Sequence, residues 1–371
     1  MPVNSVIIGS VRSAVTPRGG ALSHCTLQEL AAPLIQQLLN SSGVSTDSVD
    51  DLIVGNALGA GGNPARLIAL ASGLSEHVPG LTIDRQCCSG LDAVLIADQM
   101  IRSGVANVVI AGGVESYSQR PHRFSHSKTS GQLEPFDQPP FTPWPERDPD
   151  MATAADALAK TAGISANEQN SWAMHSHKKA RSAADQLEKE IVPIHGINKD
   201  SFTRVLSPSL CARATPVHGT ITSANMAVAA DGAAFTLLVS EAIAKEIRSH
   251  KSVVRAGVTL GANPEFPGLA PVAAVNCVLN KMSIGVNELQ RIEIMEAFAA
   301  QTIACVRELD IDDAICNASG GALARGHPIG ASGAILLTRL FNESQLKPGL
   351  YLAAIAAAGG LGTALLIETL E

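Results

Sequence analysis

Aromatic side chains are nearly absent from this chain: two Trp, two Tyr and eight Phe make up 3% of its 371 residues. Its core therefore cannot rest on large rings. The apolar share is still 46%, and glycine occupies 32 positions, so small and aliphatic side chains must pack closely. That is the habit of α/β proteins with buried parallel strands. Positive charge is also thin. With 27 Lys and Arg against 34 Asp and Glu, the net charge is −7 and no basic block interrupts the chain, which argues against nucleic acid as a partner. The seven cysteines show neither metal-ligand nor disulfide spacing, so reduced thiols in a cytoplasmic protein are expected, with no metal. Met1-Pro2-Val3-Asn4-Ser5 does not read as a signal peptide, and Glu371 ends no recognised address tag. One uncharged run, Gly349 to Ile367, is long enough to raise a membrane span. Gly359-Gly360 and the five alanines from Ala353 to Ala358 instead predict two buried strands around a turn. The length allows two or three domains.

What the chain does have is the stretch Asp84-Arg85-Gln86-Cys87-Cys88-Ser89-Gly90-Leu91-Asp92-Ala93. A short apolar segment, Gly80 to Ile83, precedes it. Leu91, Val94, Ala97 and Met100 follow at helical spacing, up to Gly104. The pattern predicts strand, sharp turn and helix, with Cys87 just ahead of the helix. Unpaired N–H groups and the dipole at that end are expected to lower the thiol's pKa. A plainer alternative is two small buried cysteines at a crowded turn.

In chain order, Ser5–Gly9 reads as a buried strand and Thr26–Leu39 as a helix, with Thr26 as N-cap and Pro33 as a source of kinking or a late start. Val49–Asn56 is a second strand, Asn63-Pro64-Ala65-Arg66 opens a helix, and Asn107–Gly113 is a strand. Strands alternating with helices imply a mostly parallel sheet. From Ser116 to about Asp150 the composition turns to Pro, Ser, His and aromatics, a surface excursion of the kind that is functional or interfacial. Helices at 152–162 and 167–186 follow, then irregular chain with Arg204, Arg213 and His218, then a buried strand near 232–239. The reading is of three regions: residues 1–114, an inserted domain at 115–230, and 231–371. The last region repeats the first. A helix at 271–281, a strand at 286–294, a Gly-rich turn, a helix at 332–341 and strands at 351–355 and 363–367 echo it, as an internal duplication would.

The Gly-rich turn runs from Asn317 to Gly333 and contains Gly326-His327-Pro328-Ile329-Gly330-Ala331-Ser332-Gly333. Pro328 biases His327 towards extended backbone. In the duplicated scheme His327 holds the slot that Cys87 holds in the first half. Both turns then open on one crevice at the strand C-termini, where α/β sheets bind ligands. A lone His on a Gly-rich loop is more often structural; its pairing with Cys87 favours catalysis.

Five segments together resemble the thiolase family: Cys87-Cys88-Ser89-Gly90, Asn63-Pro64-Ala65-Arg66, Glu296-Ala297-Phe298-Ala299, Gly326–Gly333 and Gly359-Gly360-Leu361-Gly362. They fall in the family's order over essentially the whole chain. The resemblance implies the thiolase fold, two duplicated βαβαβαββ halves in a five-layer αβαβα core with an inserted loop domain that holds coenzyme A. It implies a homodimer or homotetramer. It also implies acyl transfer between acyl-CoA thioesters through an acyl-cysteine, with CoA as substrate and no resident cofactor. By the same resemblance Cys87 is the nucleophile, and the N–H groups of Cys87 and Ala358 form the oxyanion hole. His327 activates the thiol and binds the second thioester. Met151 lies beside the pantetheine, Ala227 stands where a serine is usual, and Arg204 lies near the adenine.

Two positions depart from the family. The second cysteine, the acid/base that takes the acceptor's α-proton, is Ala356. The asparagine that orients a water in the enolate oxyanion hole is Met295, which can donate no hydrogen bond. Each loss is worth roughly 10²- to 10⁴-fold in comparable sites. Cys88 and Cys316 are candidates to replace the base. Three functions are compatible: a thiolase-like acyltransferase, acyl transfer or decarboxylative condensation with another acceptor, or a non-catalytic partner subunit. Cys87 and His327 argue against the last, and the excursion at 116–150 follows the family least.

Overall fold

Strand pairing in the computed structural model, which describes residues 4–127 and 129–369, shows why two turns so far apart in sequence meet. Met1–Val3 and Glu371, read above for address signals, lie outside those residues. The first half lays down strands in the order Leu81–Ile83, Asp51–Gly55, Val108–Ser116, Ala230–Ser240, Ser5–Arg12. The first three are parallel and the last two join antiparallel, so the sheet is mixed and not mostly parallel as the strand–helix alternation predicts. In the second half Leu289–Ile294 pairs parallel with Gly349–Ala357. Then Leu361–Thr369 and Ser252–Gly261 follow antiparallel. An isolated parallel bridge from Ile292 to Cys316 fills the slot of the first half's edge strand. The same connectivity thus occurs twice, and Val6–Val253 and Ile7–Ser252 join the halves edge to edge.

Alternation along the strands creates the layers. Val108 and Ile110 face outward onto Leu30, Leu34 and Leu38 of the helix Leu27–Ser42. Val109 and Ala111 face inward onto Leu91 and Val94 of the helix Ser89–Arg102, and onto Leu336 and Leu340 of the helix Ile329–Ser344. Across that central helical layer stand Ala353 and Ile355, while Leu352 and Ala354 face the outer helices Ala270–Met282 and Ala299–Glu308. The order is helix, sheet, helices, sheet, helix. The uncharged run at 349–367 is two strands, and among the described residues no helix is long and apolar enough to cross a membrane.

Some expectations need correction. Pro33 neither delays nor ends its helix. Thr26 and Glu29 form a reciprocal capping box that fixes the start at Leu27, and the helix runs on to Ser42. The strand at 286–294 is shorter, since Val286–Glu288 is a single tight helical turn. Among the elements not foreseen, two belong to the layered core. Ser252–Gly261 carries a bulge between Val254 and Ala256 that breaks its two-residue period. Ala299–Glu308 starts at Phe298 with no side-chain cap to announce it.

Between the halves run helices Met151–Thr161 and Ala166–Ser182, a hairpin of Arg123–His126 with Leu133–Phe136, and irregular chain. Charges fix this region against both halves. Arg12, with no exposed surface, meets Glu190 at 2.5 Å and Asp200 at 2.8 Å. Arg339 of the central layer pairs with the same Glu190 and, at 2.6 Å, with Glu343. Removing one member would strand a buried charge, which typically costs about 3–5 kcal/mol.

Candidate active site

The helix that begins at Ser89 and the helix that begins at Ile329 cross at their N-termini, and glycine permits the approach. A Cβ on Gly90 would lie 2.7 Å from the Gly330 carbonyl oxygen, and one on Gly113 only 2.0 Å from it. A side chain at Gly90 would push the two turns apart, and one at Gly113 would push the Gly330 turn off the strand Val108–Ser116. Gln86, at φ 50°, turns the chain sharply just before Cys87, and Cys88 occupies the N-cap position without a side-chain cap bond. On the other side the His327 N–H donates to the Val228 carbonyl at 2.8 Å, which holds the loop extended ahead of Pro328.

The result is a short contact. Cys87 Sγ lies 3.2 Å from His327 Nε2. His327 Nδ1 lies 2.7 Å from Ser332 Oγ, and that hydroxyl donates to the Pro328 carbonyl at 3.0 Å. A Ser332 hydroxyl that donates to Pro328 leaves its oxygen to accept from His327, an arrangement that assigns the imidazole proton to Nδ1. Nε2 then presents its lone pair to the thiol. Ser332 had no role in the sequence reading, although it stands in the quoted Gly-rich stretch five residues after the histidine. In this order the three side chains form a nucleophile, a base and an orienting group.

The thiol does not show the lowered pKa expected from its helix. Burial pushes Cys87 up to about 12, and the negative charges of Glu115 and Asp84 add to the effect. Burial likewise pushes His327 down to about 4. The desolvation cost of a charge exceeds what the helix end returns, so the resting pair is neutral thiol and neutral imidazole. Proton transfer between them must then accompany attack on a substrate.

Glu115, fully buried at the end of Val108–Ser116, locks the arrangement. One oxygen accepts from the N–H groups of Gly330 at 2.9 Å and Ala57 at 3.0 Å. The other accepts from Asn56 Nδ2 at 2.8 Å and the Leu58 N–H at 3.2 Å. It joins the start of the histidine helix to the loop after Asp51–Gly55. A single glutamate in a strand gives no signal of that role.

Cys87 and His327 open on a cavity of about 310 Å³. Its wall includes Met151, Leu158, Met226, Ala227 and Phe298, which is mostly apolar, as a pantetheine arm requires. Ala356, Ala357 and Ala358 also line it. Among the described residues, neither the Cys87 nor the Ala358 backbone N–H donates a turn or loop hydrogen bond. Met295 is 1% exposed, packed into the central layer and not on the wall. Arg204 is also off the wall, stacked over Phe202 at 4.1 Å.

The two cysteines considered as replacement bases are misplaced. Cys88 is buried and points to the Ile355 carbonyl at 3.6 Å. Cys316 is buried in the outer layer, and burial first, then Glu296 and Glu293, pushes its thiol well up. Neither reaches the cavity wall. Glu296, beside Met295, is tied down by Trp172 at 3.0 Å, Ser176 at 2.7 Å and Asn317 at 3.0 Å.

Comparison with known proteins covers the whole chain. Residues 5–242 match the family model described as thiolase, N-terminal domain, and residues 249–369 that described as thiolase, C-terminal domain. The Bacillus subtilis (strain 168) protein named "Putative acetyl-CoA C-acetyltransferase YhfS" is 40% identical over 380 residues, 99% of this chain and 100% of that one. VraB of Staphylococcus aureus (strain MRSA252), under the same description, is 37% identical and covered to 98% on both sides. The crystal structure of the Bacillus anthracis acetyl-CoA acetyltransferase superposes with a TM-score of 0.93 at 32% identity, over 99% of each chain. Human mitochondrial 3-ketoacyl-CoA thiolase in complex with CoA gives 0.92 at 28% identity, over 99% of this chain and 98% of that one.

Proposed function

The chain belongs to the thiolase family and is a thiolase-type acyltransferase, and from that premise we propose that Cys87 carries the acyl group while His327 serves as base in both halves of the reaction. The observation that supports this most is the 3.2 Å contact between Sγ and the lone-pair nitrogen of an imidazole whose tautomer Ser332 sets.

In the first half His327 Nε2 takes the thiol proton as Sγ attacks the acyl-CoA carbonyl. The N–H groups of Cys87 and Ala358 hold the oxyanion, and the departing CoA thiolate takes the proton back from His327. The imidazole is neutral again. In the second half a base must remove the α-proton of the acceptor thioester. With alanine at 356, His327, a neutral imidazole on the cavity wall, takes that role. The enolate attacks the acyl-cysteine, a carbon–carbon bond forms, and the Cys87 thiolate leaves and recovers its proton from His327. One imidazole in two roles, without the asparagine-held water that Met295 replaces, condenses slowly. Met151 and Ala227 would flank the pantetheine, and Arg204 would meet the nucleotide outside the cavity.

The chain is read as cytoplasmic and as a homodimer or homotetramer. Support for the second comes from Leu81–Ile83, an open sheet edge packed against the helix Pro64–Ala71, with Leu67, Leu70 and Leu81 between 41% and 52% exposed. The test of the catalytic reading is intact-protein mass after incubation with acetyl-CoA and a panel of longer acyl-CoAs, with Cys87→Ala as control. An acyl adduct that disappears in the variant is expected. No adduct from any donor would overturn the reading.

A further inference from the structure

The cavity wall carries charge that acyl transfer does not use. Two guanidinium groups, Arg120 and Arg123, line it against a single carboxylate, Asp137. Arg120 lies over the Tyr117 ring at 4.8 Å and meets Asp137 at 3.2 Å, but the Asp137 side chain is 90% exposed, and such a pair neutralises little. Arg123 is half-buried. Among the described residues its hydrogen bonding is limited to one contact, from Nη2 to the Ala57 carbonyl at 3.2 Å, and it has no carboxylate partner. A guanidinium offers five donors in a planar fork, so beyond the Ala57 contact this one's donors have no protein partner among the described residues, and Arg123 is on the cavity wall.

Its position is tied to the reacting groups. Arg123 holds the carbonyl of Ala57, whose N–H shares Glu115 with the N–H of Gly330, three residues beyond His327. Leu58, next in sequence, and Gln86, next to Cys87, stand on the same wall. We infer that Arg123, assisted by Arg120, forms a subsite for an oxyanion carried by the thioester substrate. The oxyanion is the terminal carboxylate of a dicarboxylic acyl group or, from the other end of the molecule, a phosphate of CoA. The carboxylate is favoured by space. A cavity of about 310 Å³ is at the small end of ligand sites and suits a pantetheine arm with a short acyl group, leaving the nucleotide outside. The inference rests on the acyl-transfer reading only for the identity of what enters the cavity.

The test is calorimetric titration of the Cys87→Ala protein, which cannot be acylated, with succinyl-CoA, butyryl-CoA and free CoA, with Arg123 intact and as Arg123→Gln. Succinyl-CoA is expected to bind more tightly than butyryl-CoA. Arg123→Gln should weaken it by roughly tenfold or more, the loss of a charge-assisted pair, and leave the other two ligands within about twofold. Arg120→Gln should act in the same direction and less. An equal loss for all three ligands would assign the same subsite to a CoA phosphate. No loss for any of them, with the melting temperature unchanged, would overturn the subsite. Because binding is read without acylation, a failure of Cys87 to take up an acyl group would count against the proposed function and leave this result standing.

Discussion

Two corners of one cavity are built differently. At the first, Cys87, His327 and Ser332 form an unbroken polar relay, held in place by Glu115 and by glycines that let two helix N-termini touch. At the second, where the family places a cysteine and an asparagine, stand Ala356 on the wall and Met295 buried in the central layer. The first corner holds what is needed to accept an acyl group; the second holds no proton carrier. The difference separates the two half-reactions. A fold can keep acyl transfer intact while condensation loses its dedicated acid/base, because the side chains that carry the protons differ: Cys87 and His327 sit on the two helix-start turns, whereas Ala356 ends the strand Gly349–Ala357 and Met295 follows the strand Leu289–Ile294.

The largest expected effect breaks the first corner. Cys87→Ala should abolish the acyl adduct in intact-mass measurements. His327→Ala, which removes the base, should slow CoA release in the acylation phase by about 10²- to 10⁴-fold, read by stopped-flow thiol detection. Ala356→Cys works on the second corner. It should raise acetoacetyl-CoA formation from acetyl-CoA, by up to about 10²-fold in a steady-state assay, with little change in acylation. Ser332→Ala leaves the imidazole free to hold its proton on either nitrogen, and a loss near tenfold in acylation is expected, with KM nearly unchanged. The smallest effect concerns pH. With Cys87 raised to about 12 and His327 lowered to about 4, the working neutral pair persists between those values. Acylation should therefore show no inflection at the ordinary cysteine value of 9.0, and should fall as acid approaches 4 and protonates His327; burial raises the Glu115 carboxyl to about 7, so a step there reports the hold on Gly330 and Ala57 and not the reacting pair. A clear step near 9.0 would contradict the desolvated pair.

Much of the first corner was legible in sequence because its signals are local. Cys87 sits between an apolar segment and a helical period, and His327 lies within five residues of two glycines and a proline. The duplication was visible for the same reason, as an order of short-range patterns. What remained hidden depends on distance. Glu115 and Gly330 are 215 positions apart, and Arg12 and Glu190 are 178 apart. No period or spacing announces such pairs, since burial alone decides whether a charge meets a partner. The thiol's pKa was misjudged on the same ground: a helix start can be read from residues, whereas the desolvation that outweighs it comes from the packing of both halves. Cys88 and Cys316 read as available for the same reason, and only their burial away from the cavity wall excludes them.

The account's central claim is that acylation and condensation are decoupled at these two corners. Rapid-quench measurement of CoA release and acetoacetyl-CoA formation from acetyl-CoA, in the natural protein and in Ala356→Cys, tests it most directly. The account predicts a fast burst of CoA matched by acyl-Cys87, then slow product formation, with only the slow phase accelerated by the restored cysteine. Product formed as fast as the burst in the natural protein, with no gain from Ala356→Cys, would contradict it.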